Sequence, residues 1–420
     1  MGGIQEKRPK IGLAMAGGGP EGAVYEIGAI RALDDAIEGL DVNDLHVYVG
    51  VSAGAFVTSC LANNVTSAQL ARAVVNIDPH DHLFDPSMFL TPALGLFVKS
   101  GMMLPRLMME SIRDYMLNKH EQGLVNSFTR LGRAIPVGLF DNEPLREYLE
   151  RVFNKPGRTD DFRQLGKKLF VIATDLDTSH AVVFGRGEYA HIPISLAVQA
   201  STALPGLYPP VVIEDRSYVD GVLRRTLHAS TILDENLDLA LCVNPIVPVD
   251  TSRSVEEGYM RRGKLTDRGM PTVLSQTFRT LIHSRMRVGF RRYDNQYKGT
   301  DLVLIEPEPH DYRMFFTNIF SFSKRKAVAE HAYRSIMRHL ASRLEELDPV
   351  FEKHGMRLRH DVIFREDPDI WKSVDATPYR KKGPVTSNLS DALERLEAVL
   401  EKRKEKGNDH EPEPEPQEVG

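Results

Sequence analysis

Two short apolar runs, each ending in a turn of small residues and each followed by residues at helical spacing, constrain the fold of this chain more than any other feature. "IGLAMAGGG" reads as a buried strand running into a glycine turn, and in "AVYEIGAIRALDDAIEG" Ile27, Ile30, Leu33 and Ile37 recur with helical period before Gly39. "LHVYVGVS" is a second strand and "AFVTSCLANN" the helix after it. Further strands are predicted in "LFVIATDL", "HAVVFG", "LDLALCVNPI" and "DLVLIEPEP". Apolar strands alternating with helices point to an α/β sandwich. At 420 residues, 42% hydrophobic and 26% charged, the chain has material for one large domain or two smaller ones.

The formal net charge of -5 supplies no global basic field, so nucleic acid is not an expected partner. Cys60 and Cys242 each lie inside an apolar segment, which suggests neither a disulfide framework nor a clustered zinc site. No metal and no organic cofactor are expected, and a reducing, cytoplasmic setting fits. The start "MGGIQEKRPK" lacks a hydrophobic signal region and has Glu6 where a myristoylation signal wants Ser or Thr. Two stretches without Asp, Glu, Lys or Arg, Leu45 to Ala71 and Tyr189 to Ile213, are interrupted by Gly, Asn and Pro and do not read as membrane spans.

Along the chain we expect a leader over 1–10, a catalytic domain over 11–347, an extension over 348–387, an amphipathic helix over 388–405 and a disordered acidic tail over 406–420. Within the domain, 86–135 reads as an apolar insertion. Its Met-, Leu- and Phe-rich part from Pro86 to Met109 is broken by proline and glycine, and it suits either a lid or acyl-chain channel or a core subdomain. Between Arg261 and Arg292 basic residues face a single acid, Asp267, and Val273, Phe278, Leu281 and Ile282 form an apolar stripe edged by arginines. Two readings stay open: a surface resting on an anionic membrane, or the solvated face of a core-packed helix. The stripe Leu389, Leu393, Leu396 and Leu400 is too short for a coiled coil and suits packing on the domain, on a protein partner or in self-association.

Three pieces carry chemistry. Ser52 lies in Gly50-Val51-Ser52-Ala53-Gly54, between a strand and a helix, where a sharp turn would expose its hydroxyl and only small residues fit two positions away on each side. Gly17, Gly18 and Gly19 also follow a strand and precede a helix, so their N–H groups and the helix N-terminus can hold an anion, either a tetrahedral oxyanion or a phosphate. Gly17, Gly19 and Gly22 also fit the dinucleotide fingerprint, but the next strand runs into "GVSAG" and lacks the carboxylate that fingerprint expects. Asp220 in "SYVDGVL" lies in a turn after a strand; taken alone it is an ordinary Asp-Gly turn, and as a base it would need desolvation and a short hydrogen bond to the serine.

In this order, the glycine-rich loop, G-x-S-x-G and D-G resemble the patatin-like phospholipase family. "ASTALPGLYPPV" is similar to the block of small residues and prolines that leads to the family's aspartate. The resemblance spans Ile11 to Leu347. It implies a three-layer α/β/α sandwich with a parallel-centred sheet, and hydrolysis of lipid acyl esters by a Ser-Asp dyad without histidine. On this resemblance Ser52 is the nucleophile, Asp220 the general base, Gly17, Gly18 and Gly19 the oxyanion donors, and Gly50 and Gly54 the glycines of the nucleophile elbow.

The implied activity is that of a phospholipase A or lysophospholipase at a membrane surface, with a triacylglycerol lipase or general carboxylesterase as alternatives on the same dyad. Two departures stand out: Glu21 replaces the family's basic residue, with Pro20 beside it lacking an N–H, and "GVLRRT" follows the aspartate. The Glu21 departure supports a reading of another class, a non-catalytic lipid-binding module. A Ser-His-Asp triad would draw on His310, or on His191 or His228.

Overall fold

A computed structural model describes residues 8–74, 89, 91–117, 135–258, 264–309, 311 and 322–374. Most of the 1–10 leader, Arg261 and Arg262, His310, part of the insertion, the 388–405 helix and the 406–420 tail therefore lie outside the described residues.

The strands of the central sheet are β1 (Ile11–Met15), β2 (Val47–Val51), β3 (Lys168–Asp175), β4 (Ala181–Phe184), β5 (Val211–Ile213), β6 (Arg216–Asp220), β7 (Leu239–Val243) and β8 (Asp301–Ile305). They form one sheet in the order β8-β7-β1-β2-β3-β6-β5, with β4 also pairing with β3. The ladders from β8 to β3 are parallel, and those joining β3 to β4, β3 to β6 and β5 to β6 are antiparallel. The centre is thus parallel, as the apolar runs predict. One edge folds back on itself.

The helices of five residues or more are α1 (Gly19–Ala36), α2 (Ala53–Ala62), α3 (Ser67–Val74), α4 (Leu94–Leu117), α5 (Glu143–Phe153), α6 (Ile194–Ser201), α7 (Ala229–Leu233), α8 (Thr251–Glu256), α9 (Met270–Gln296), α10 (Phe322–Ser342) and α11 (Leu344–Lys353), and two single turns, His360–Ile363 and Ile370–Ser373, follow.

Period-2 alternation divides the strand side chains between two layers. Leu13, Met15, Tyr48, Leu169, Val171, Leu239 and Leu241 join one core with α1, α2, α6 and α10. Ala14, Val47, Val49, Phe170, Ile172, Ala240 and Cys242 join the other, with α7 and Met286 of α9. The arrangement is the three-layer α/β/α sandwich. Its second face has the thinner cover, because α7 is only five residues long.

Long apolar side chains elsewhere point outward. On α4, Leu94, Phe97, Val98, Met102 and Met109 are exposed and Leu107 is buried. The stripe read on α9 also divides: Ile282 packs inward beside Met286, whereas Val273, Phe278 and Leu281 are exposed. The cause is angular, since the positions 278, 281 and 282 span both sides of a helix that meets the core along one narrow line. Among the described residues no helix is long and apolar enough to cross a membrane.

Candidate active site

The sheet register brings the predicted residues into one row. Met15 of β1 is opposite Gly50 of β2, and Val51 of β2 is opposite Ile172 of β3. Extending these ladders sets Gly17 beside Ser52 and Ser52 beside Ala173. On the other side of β3, Ala173 is opposite Asp220. Ser52 and Asp220 therefore flank a small residue, two strand spacings apart, roughly 9 to 10 Å between backbones. The row lies at the carboxyl ends of β1 and β2, next to the point between β1 and β7 where the strand order reverses and open α/β sheets form their crevices.

Ser52 caps α2 with φ 53 and ψ -119, a left-handed conformation that non-glycine residues rarely adopt. The turn is held by hydrogen bonds. The Ser52 N–H donates to Ser201 Oγ at 2.8 Å, whose hydroxyl donates to the Ile172 carbonyl at 2.6 Å, and the Gly54 N–H donates to the Ala16 carbonyl at 3.0 Å. A Cβ on Gly54 would stand 2.4 Å from the Met15 carbonyl oxygen, and one on Gly50 would stand 2.4 Å from the Ala55 Cα. Both glycines are therefore required by close approach.

Asp220 is pinned from three directions. Its N–H donates to the Ala203 carbonyl at 3.0 Å, its own carbonyl accepts from Thr174 Oγ1 at 3.2 Å, and its Oδ1 accepts from the Val222 N–H at 2.9 Å. The carboxyl is buried, and desolvation pushes its pKa up to about 7, against the pull of the Val222 N–H and of a hydrogen-bonding interaction with the Ser52 side chain.

The glycine loop packs directly on this pair. A Cβ on Gly17 would be 3.1 Å from Ser52 Cβ, and Gly18 is the N-cap of α1. Two helix N-termini thus meet beside the serine, and both favour negative charge there. Among the described residues the N–H groups of Gly17, Gly18, Gly19 and Ala53 have no protein acceptor. Ala53, as the first residue of α2, has no intrahelical acceptor either. It was not singled out from the sequence, although its place directly after the serine is the signal.

Glu21 sits in the first turn of α1, its Oε2 3.8 Å from the guanidinium of Arg279 on α9, and its Oε1 is buried without a hydrogen-bond partner. Burial pushes Glu21 up to about 7, which Arg279 partly offsets. The same burial lowers Arg279 from its ordinary value. The cation absent from the loop is thus present beside it, supplied by a distant helix.

The triad alternatives fare differently. His191 is exposed, its Nε2 2.7 Å from Glu214 Oε1. His228 is buried, and burial lowers its pKa to about 3. Neither is among the groups acting on Asp220, and His310 lies outside the described residues. Cys60 and Cys242 are fully buried thiols, each pushed up to about 12 by desolvation. Among the described residues no cluster of His, Cys, Asp and Glu could hold a metal.

A family model described as patatin-like phospholipase matches residues 13–231. Among curated proteins, an uncharacterized protein of Acanthamoeba polyphaga mimivirus, R571, is 24% identical over 229 residues, covering 54% of this chain and 62% of that protein. The chain thus spans less than two thirds of that relative's length. Of solved structures, VipD from Legionella pneumophila is similar at 13% identity and TM-score 0.36, over 80% of this chain and 67% of that one. The complex of ExoU with SpcU from Pseudomonas aeruginosa matches at 15% identity and TM-score 0.28, over 93% of this chain and 60% of that one.

Proposed function

This chain belongs to the patatin-like phospholipase family, and from that premise we propose that it hydrolyses carboxylic esters of lipids, with Ser52 as nucleophile and Asp220 as general base. The observation that carries the reading is the row across the sheet. A serine on a strained turn shares that row with a buried carboxyl whose pKa is pushed up to about 7, and among the described residues the groups acting on that carboxyl are the Val222 backbone and the Ser52 side chain, with no histidine.

The chemistry follows from that contact. An aspartate at its ordinary pKa is a feeble base, and one raised to about 7 is matched to a proton transfer at neutral pH. Asp220 takes the hydroxyl proton of Ser52 as Oγ attacks the ester carbonyl. The oxyanion that forms is met by N–H groups from the Gly17–Gly19 loop and by the Ala53 N–H, with both helix N-termini behind them. Asp220 then returns its proton to the leaving alcohol, and water repeats the sequence on the acyl-enzyme. Phospholipid or lysophospholipid leads among substrates, followed by neutral glyceride and simple carboxylic esters.

The buried carboxyl of Glu21 favours the second reading, a lipid-binding module without turnover, because a negative charge beside the loop opposes an oxyanion. Arg279 at 3.8 Å answers that charge, so we place hydrolysis first.

The deciding experiment is fatty-acid release from phospholipid, lysophospholipid and triacylglycerol, with an organophosphonate probe for Ser52. Ser52→Ala and Asp220→Asn are expected to lose about 10³-fold or more while remaining folded. An inert Ser52 together with no release by the wild type from any lipid would hand the reading to the binding module. Activity requires the Asp220 carboxylate, so kcat/KM on a soluble ester should fall as pH drops through about 7. Glu21 titrates in the same range. The limb should survive in Glu21→Gln, and its disappearance there would assign it to Glu21.

A further inference from the structure

The segment after Asp220 turns away from the catalytic row and, with α9, encloses a cavity of about 460 Å³ that neither Ser52 nor Asp220 lines. Its volume lies within the range of small-molecule pockets, about 300 to 1,000 Å³. Arg224 and Arg225 come from the loop and Arg285 and Arg292 from α9, and among the described residues no Asp or Glu lines the cavity. Four like charges at one mouth repel one another unless an anion joins them.

The rest of α9 behaves otherwise. Arg279 lies 3.8 Å from Glu21 and Arg287 3.7 Å from Glu306, so these two arginines of the helix have acidic partners. Among the described residues the cavity's arginines have neutral partners where they have any: Arg225 donates to Ser230 Oγ at 3.1 Å and Arg285 to the Leu223 carbonyl at 3.4 Å. The nearby carboxylate of Asp234 accepts a hydrogen bond from the Tyr297 hydroxyl at 2.7 Å.

Two further features bear on the ligand. His228, 6% exposed, lines the cavity with its Nε2 buried and without a partner. Along α9 the exposed residues Leu274, Phe278, Leu281, Arg285, Val288 and Arg292 fall at alternating spacings of four and three, which is one face of a helix. That face is apolar toward the start of α9 and ends in the cavity's arginines. A free anion has no use for such an approach. A membrane lipid has.

We propose that this cavity is a docking pocket for the phosphomonoester head group of a membrane lipid, separate from the catalytic row. A phosphomonoester carries close to two charges and three acceptor oxygens, which planar guanidinium forks meet in pairs. The exposed apolar residues of α9 enter the boundary between head groups and acyl chains, and the row at Ser52 is thereby held at the lipid surface. The loop that forms one wall, Arg224 to His228, follows Asp220 within a few residues.

The test uses the full chain carrying Ser52→Ala, so that binding is read without turnover and independently of the proposed hydrolysis. Sedimentation is compared between phosphatidylcholine vesicles containing phosphatidic acid and vesicles containing phosphatidylserine, matched in surface charge. The phosphatidic acid vesicles should bind more tightly. Arg224→Glu and Arg292→Glu, each with an unchanged thermal midpoint, should weaken that binding on the order of tenfold or more and remove the preference. Equal binding to both anionic vesicles, or binding indifferent to both reversals, would overturn the proposal. So would phosphate binding at the pocket with no vesicle binding, or retention of a short RNA as tight as that of phosphatidic acid vesicles and lost in the same variants.

Discussion

The nucleophile turn and the helix α4 are both built from apolar and small residues, yet they stand in opposite surroundings. From Val47 to Ala62 every residue is buried, and the glycines there touch backbone atoms. On α4 the long side chains Leu94, Phe97, Met102 and Met109 are exposed, and no described residue stands within 4 Å of where a Cβ on Gly95 or Gly101 would be. The turn is a place where packing dictates residue type. The helix is a place where apolar surface is kept without being used to fold the chain, which monomeric proteins rarely do over a contiguous patch unless something covers it. Together they show that tight backbone contact governs residue type at the turn, whereas on α4 exposed, flexible methionines leave an apolar face that nothing in the described fold consumes.

The largest expected effect is a direct attack on that contrast. In Gly54→Ala the added methyl meets the carbonyls of Met15 and Ala16 at 2.4 and 2.6 Å, and no side chain can give way. Stability should fall by about 3 kcal/mol or more, at or beyond the upper end of overpacking. Gly101→Ala on α4 places its methyl in open space inside a helix and should stabilise by about 0.5 to 1 kcal/mol. Denaturant unfolding of both variants measures the difference. Similar losses at the two sites would mean that α4 is as tightly built as the turn.

A smaller effect is expected where the rigid region buries a carboxyl at a cost in stability. Asp220 holds its proton more tightly folded, at about 7, than at the ordinary 3.8 of an unfolded carboxyl. Between these values the folded state binds more protons, so this group's contribution to stability declines as pH rises through the window and is lowest above 7. Asp220→Asn keeps an oxygen for the Val222 N–H and removes the charge. Its thermal midpoint should exceed the wild type's by several degrees at pH 8, and the gain should vanish near pH 4. No gain at pH 8 would mean that the carboxyl ionises without penalty and is not desolvated as the structure has it.

How legible each region was follows from the same contrast. The strand-turn-helix units around Gly17–Gly19 and Ser52 could be read because close backbone contact admits few residue types, so the sequence records the geometry. The hairpin ahead of Asp220 was harder. Its turn uses Glu214 and Asp215 at φ 49 and 64 in place of the Asn-Gly or Asp-Gly that marks such turns, and β5 is only three residues long. Arg279 was not legible as the partner of Glu21, because the pair is made by tertiary packing between helices far apart in the chain. The apolar face of α9 was read with the wrong members, since Ile282 follows Leu281 in sequence and points inward while Leu281 points out. Sequence alone gives periodicity; which side of a partly covered helix meets the core is decided by the sheet.

The smallest expected change in stability belongs to α4, and it bears most directly on why an apolar face is left open. Phe97→Glu and Met102→Glu each replace an exposed side chain, so unfolding should change by no more than about 0.5 kcal/mol. If α4 meets the lipid surface, hydrolysis of vesicle-borne lipid should fall about tenfold, the cost of placing a charge against the acyl boundary. Hydrolysis of a soluble short-chain ester should stay at the wild-type rate, because neither residue belongs to the row from Gly17 to Asp220. Equal loss on both substrates would move α4 from the lipid interface to the wall of an acyl channel leading to Ser52. Loss on neither would mean that this face is covered by something other than lipid.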